Sequence, residues 1–128
     1  MSVSSSNNAT AQLGAIEADT SSDDTTDLAM TVTVTSTSGS TSQILGIDNT
    51  YGSITATLSG TGTNKLGNAT TALEAVTATI NASAATGTNY INTTLVSGTA
   101  TVTLASGAGT DTIYHQEDNA GVVSVTNF

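Results

Sequence analysis

Ten carboxylates and one cation, Lys65, supply nearly all the charge of this 128-residue chain, a formal net charge of −9. Half of the carboxylates fall in one short run: Glu17, Asp19, Asp23, Asp24 and Asp27. Oxygen ligands at that density can hold a hard cation such as Ca2+. The run lacks both EF-hand spacing and its glycine turn, so a solvated acidic segment is the simpler reading. His115 stands beside Glu117 and Asp118, the residue types of an acid–base pair. No nucleophile stands out among the 44 Ser and Thr residues, and an exposed neutral imidazole is the ordinary state of a lone histidine. The expectation is a chain with no catalytic residue, no cofactor and no enzymatic activity.

Composition removes further classes. One Lys and no Arg cannot neutralise a phosphate backbone, so nucleic-acid binding is excluded as a main role. The absence of Cys excludes disulfides, thiol chemistry and thiolate metal sites. A single His cannot build a His-cluster metal site. No run of apolar residues is long enough to cross a membrane as a helix. The opening MSVSSSNNAT has no basic residue and no apolar stretch, so it does not read as a signal peptide. Asn8, Asn68, Asn81 and Asn92 each begin an N-x-[ST] triplet, as chance dictates in a chain this rich in Asn and Thr.

The T-x-T pattern recurs at 31/33/35/37, 55/57, 99/101/103 and elsewhere. Threonine ranks on a flat sheet can order water, which is the chemistry of an ice-binding face. That reading requires ranks stacked at a fixed repeat, and the spacing along the chain is irregular. Threonine on the solvent face of ordinary strands is the expectation instead. Residues 106–113, SGAGTDTI, resemble one calcium-binding nonapeptide of the repeats-in-toxin class, with Ser106 in place of its first glycine. The resemblance implies a Ca2+ ligand at Asp111. Such repeats share their ion with a neighbouring copy and only one copy is present, so a Gly-rich hairpin loop is expected.

The elements that must position these residues divide into two blocks. Residues 1–27 read as an extended N-terminal arm anchored by Val3, Leu13 and Ile16, and residues 28–128 as a single β-rich domain. Leu28, Met30, Val32 and Val34 alternate with Ala and Thr, the period of a half-buried strand. Gln43–Ile47 reads as a second strand, with a turn at Asp48-Asn49, and Ile54, Ala56 and Leu58 mark a third. Ala69, Ala72, Leu73, Val76, Ile80 and Ala84 follow helical spacing, with Asn68 as N-cap and Gly87 as terminator. Many β-branched residues weaken that helix, and Val76, Ala78, Ile80 and Ala82 also alternate as a strand would. Four strand-like segments follow, the first two joined by a hairpin at Ser97-Gly98. The predicted fold is α+β, mainly antiparallel, with one helix near 69–84; the alternative is an all-β sandwich. The sequence shows no repeat of fixed period, which disfavours a solenoid or propeller.

Leu, Ile, Val and Phe total 25 residues, a thin core for this length. A small domain with a marginal core gains stability by oligomerising, so an assembly subunit is expected. Val3, Leu13 and Ile16 of the arm and Val123, Val125 and Phe128 of a C-terminal edge strand are the expected interface. Burying Leu13 and Ile16 against a neighbour would contribute about 3–6 kcal/mol. The positions sharing a face with Phe128, Thr126 and Ser124, are polar, which argues against an outer-membrane barrel.

Residues 71–113 carry a family resemblance. The phrase Thr79-Ile80-Asn81-Ala82, then a strand, a Gly turn, the Val102-Thr103-Leu104 strand and a Gly-rich loop, is similar to modules of tailed-bacteriophage virion proteins and flagellin-type inserts. The loop departs from that pattern by running to Asp111-Thr112-Ile113. The resemblance implies a virion structural protein: a capsid decoration (cement) protein on the outer shell, or a tail-tube subunit. It also implies a homo-oligomer, typically a trimer, partnered by the major capsid protein or another virion subunit. An acidic surface suits the outside of a shell or a tube through which DNA slides. The rival reading is a surface adhesin or filament domain at the cell surface, stabilised by Ca2+ at Asp111 or the acidic run.

Overall fold

The computed structural model describes residues 1–18, 28–106, 109–116 and 121–127. Eleven strands follow one another along the chain: β1 (Ser2–Ser5), β2 (Thr10–Glu17), β3 (Ala29–Ser36), β4 (Thr41–Gly60), β5 (Thr63–Leu66), β6 (Leu73–Ala85), β7 (Thr88–Asn92), β8 (Leu95–Val96), β9 (Thr99–Thr103), β10 (Asp111–Tyr114) and β11 (Val122–Thr126). Every pairing between them is parallel. The chain winds as a parallel β-solenoid of about 4 turns, with no helix among the described residues and 70% strand. The expected antiparallel α+β fold is therefore incorrect, and so is the alternative sandwich.

Two long ladders run along the coil. One holds β1, β3, the second half of β4, β6, β9 and β11. The other holds β2, the first half of β4, β5, β7 and β10. A short third ladder joins β4, β6 and β8 around Ile47, Leu73 and Ala75. The described part of the 1–27 segment is the first turn, with β1 on β3 and β2 on β4. The repeat absent from the sequence exists in space. Thr33, Thr57, Asn81, Thr103 and Thr126 are successive register partners, separated by 24, 24, 22 and 23 residues. The opening turn, from Ser2 to Thr33, takes 31. Turn lengths that vary by one or two residues displace every motif, so no fixed period is legible.

From Leu73 onward the helix expected over 69–84 is the strand β6. In a helix, Val76 and Ile80 would share a buried face. In the structure Ile80 is buried and Val76 is 44% exposed, while Ala78 and Ala82 join Ile80 inside. Period two prevails because Thr77, Thr79 and Ile80 are β-branched and stiff, and because β4 and β9 offer a ladder on each side. Asn68 does not cap a helix; its Oδ1 accepts from the backbone N–H groups of Thr70 and Thr71 in a local turn. Ser97-Gly98 is not a hairpin but a corner, its two N–H groups donating to Ala75 and Val76 on the turn below.

The interior is built of columns. Leu13, Ile44, Leu66, Ile91 and Ile113 stack in one; Val32, Ala56, Ile80, Val102 and Val125 stack in another. Central members such as Ile44, Leu66, Ile80 and Ile91 are fully buried, each stabilising the fold by about 1.5–3 kcal/mol. Few large apolar residues suffice because each is shared between the turns above and below it. A polar ladder fills the corner between the two sheets. Ser36 Oγ donates to Asn64 Oδ1 (2.8 Å), Asn64 Nδ2 to Asn89 Oδ1 (3.0 Å), and Asn89 Nδ2 to Asp111 Oδ1 (2.7 Å). Backbone crosses backbone closely at that corner. A Cβ on Gly87 would lie 2.0 Å from the Gly62 carbonyl oxygen, so nothing larger than hydrogen fits.

Candidate functional site

Two features of the coil present organised surface, one on its side and one at its ends. The side feature is the outer face of the β1/β3/β4/β6/β9/β11 ladder. Thr31, Thr55, Thr79, Thr101 and Ser124 form one column of register partners. Ser2, Thr33, Thr57, Asn81, Thr103 and Thr126 form the column beside it. All eleven side chains reach solvent and none is charged. Parallel pairing sets the spacing between ranks at about 4.8 Å, and the strand rise puts the two columns about 6.6 Å apart. The two register shifts in the β4–β6 pair fall at Asn49/Ser53 and Thr57/Ser59, outside the central ranks. The T-x-T motifs are thus aligned in space although irregular in sequence, which corrects the expectation that the ranks do not stack.

The end feature comes from the interior columns. On the first turn Val3 is 7% exposed, and Leu13 and Ile16 are only partly buried. On the last turn Ile113, Val123 and Val125 are partly buried too. The same columns are sealed in the middle of the coil. Five of the six expected interface residues, Val3, Leu13, Ile16, Val123 and Val125, lie on the two terminal turns, Val3 buried and the other four partly buried against the core. Phe128, the sixth, lies outside the described residues. Among the described residues the terminal strands β1, β2, β10 and β11 each pair with one strand only, and an unpaired backbone edge is a template for a further parallel strand.

Among the described residues the chemical candidates do not converge. Asp111 terminates the asparagine ladder, its Oδ1 accepting from Asn89. His115 is exposed, with Nε2 3.2 Å from the Gly121 carbonyl oxygen. Glu117 and Asp118 lie outside the described residues, as do Asp19, Asp23, Asp24 and Asp27. Glu17, Asp48 and Glu74 occupy successive turns in one register column, beside a shallow cleft lined also by Thr71 and Leu95. Thr50 Oγ1 donates to Asp48 Oδ1 at 2.7 Å. Among the described residues no group of three His, Cys, Asp or Glu side chains is placed to hold a metal ion. An open cleft of about 440 Å3 brings Asn92, Thr94, Leu95, Tyr114 and His115 together, with no carboxylate among them. Tyr90 stacks on Tyr114 with ring centroids 5.0 Å apart. Burial, then the hydrogen bond and charge of Tyr114, push the Tyr90 phenol above its ordinary value of 10.0.

Sequence reasoning missed the ladder of Ser36, Asn64 and Asn89. Its signal was available: in the alternation of β5 and β7, Asn64 and Asn89 fall on the same face as Leu66 and Ile91, where a polar residue inside must have a partner. No family model, no curated protein and no solved structure matches this chain.

Proposed function

We propose that this chain is a non-enzymatic structural subunit, a short coil built into a larger assembly through its ends. The observation that carries the proposal is that, among the described residues, the terminal turns end in partly buried apolar side chains with no strand paired beyond them. A solenoid requires a polar cap at each end to remain a monomer, because each turn buries its apolar face only against its neighbours. Here the interior columns run out on Leu13 and Ile16 at one end and on Ile113, Val123 and Val125 at the other. Each is already partly buried, so covering it contributes less than about 1 kcal/mol, below the value read from full burial. The backbone edges of the terminal strands add ladder hydrogen bonds, and repetition over many copies adds avidity.

The assembly to which the residue 71–113 resemblance points is the virion of a tailed phage, with the chain as a decoration protein or tail subunit. The helix within that resemblance is absent, so it rests on the strand-and-loop phrase at 88–113. A second reading, a filament or surface-adhesin domain, is favoured by the unlike ends. An end-to-end contact joins two different surfaces, and such contacts propagate unless the rotation closes a ring.

The test is the native mass of the full chain, with and without EDTA, alongside Leu13→Asp and Val125→Asp. A trimer or small closed ring, indifferent to EDTA and dissociated by either substitution, supports the virion subunit. An open-ended ladder of masses supports the filament. A monomer at millimolar concentration, or an assembly indifferent to both substitutions, overturns end-mediated assembly.

A further inference from the structure

We propose that the threonine-ranked face of the coil binds an ordered water lattice, and that its ligand is the surface of ice. The inference is independent of the assembly reading, because the face lies along the side of the coil and not at its ends.

Three observations carry it. The face is a two-dimensional grid, with side chains repeating at about 4.8 Å in one direction and about 6.6 Å in the other. These are spacings of the size at which water oxygens repeat on the low-index planes of hexagonal ice. The grid is neutral although the chain carries −9, and Thr, Ser and one Asn fill its eleven positions. A charged side chain would order water radially around itself; a row of hydroxyls and methyls imposes the repeat of the sheet instead. Finally, the hydroxyls of Thr31, Thr33, Thr55, Thr57, Thr79 and Thr101 have no side-chain partner among the described residues. Each is free to donate to and accept from water.

The physics follows from the side chain. Threonine is β-branched, so χ1 is stiff and the array is ordered before any ligand arrives. Its methyl restricts the orientation of first-shell water, and its hydroxyl anchors that water through a bridging hydrogen bond. Water held between ranks at the sheet's own repeat already resembles a layer of the crystal. Joining that layer to an ice plane requires little further ordering. A threonine face on an antiparallel sheet would offset alternate ranks, because hydrogen-bonded and non-hydrogen-bonded pairs differ in separation. Parallel pairing keeps every rank equivalent.

The test uses the purified full chain and ice itself as the probe. Ice is grown slowly from a dilute solution and the fraction of protein taken into it is measured, together with the gap between freezing and melting points. Thr79→Lys places a charge at the centre of the grid. Leu95→Lys places the same charge on the third ladder, away from it. Melting curves of both variants confirm that the coil is intact, and Thr57→Tyr provides a second central change should Thr79→Lys fail to fold. The expected result is uptake of the wild-type chain into ice with a measurable freezing gap. That gap should fall at least tenfold in Thr79→Lys and remain unchanged in Leu95→Lys. Exclusion of the wild-type chain from ice overturns the proposal, as does full activity in a folded Thr79→Lys. A wild-type dimer that Thr79→Lys converts to a monomer, without ice uptake, also overturns it and assigns the face to a second copy.

Discussion

Replacing Asn89 by Ala should cost about a quarter or more of the stability of this protein. Asn89 is fully buried and is the central link of the corner ladder. Its Nδ2 donates to the Ala85 carbonyl (3.1 Å) and to Asp111 Oδ1 (2.7 Å), and its Oδ1 accepts from Asn64 Nδ2 (3.0 Å). Two neutral hydrogen bonds contribute about 1 kcal/mol each, and one to a charged group about 1.5–3 kcal/mol. The truncation also leaves Asn64 Nδ2 buried without its acceptor. The sum is about 4 kcal/mol, against a total of about 5–15 kcal/mol for a domain of ordinary stability. Urea unfolding followed by far-UV circular dichroism measures it as a drop in midpoint at constant slope. In a double-mutant cycle with Asn64→Ala the two losses should fall short of additivity by about 1 kcal/mol, because both remove the same bond. A loss below about 0.5 kcal/mol, or strict additivity, would refute the reasoning and show that water replaces the ladder.

Gly87→Ala should destabilise by about 3 kcal/mol or more, because its Cβ would lie 2.0 Å from the Gly62 carbonyl and two backbones must separate; the melting temperature reads it directly. Ile80→Ala should cost about 3 kcal/mol and Val76→Thr less than about 0.5 kcal/mol, since one is buried and the other 44% exposed; equal costs would restore the helix at 69–84. The Tyr90 phenol holds its proton more tightly folded than unfolded. The resulting stability is fully present below the ordinary phenol value of 10.0 and is lost as pH rises through the higher folded-state value. Unfolding midpoints taken from pH 9 upward should show that decline, and Tyr90→Phe should remove its share.

Much of the local structure was legible in the chain. Alternation at 28–35 and at 54–58 reads as strand, and from Ala29 onward strand it is, because period two depends only on which side of a ribbon each residue occupies. Val3, Leu13, Ile16, Val123 and Val125 stand out in sequence as apolar residues among polar neighbours, but their place on the first and last turns of a coil was not legible there. Nor was the segment 69–84, because its apolar spacing satisfies both periods. Local preference and the ladders offered by β4 and β9 decided between them.

Strand direction and register were beyond local reading. Alternation is the same in a parallel and an antiparallel strand, and only the path of the connection distinguishes them. Gly87, expected to end a helix, and Gly109, expected in a hairpin loop, are both corners, each lying against the corner of the turn before it. The chain by itself determined an acidic, threonine-rich, β-rich protein with a single Lys and no Arg to meet nucleic acid. Tertiary structure alone decided that Thr31, Thr55, Thr79 and Thr101 share one column. Their separations of 24, 24 and 22 residues hide the repeat, while interstrand hydrogen bonding, which acts on register and not on chain length, restores it.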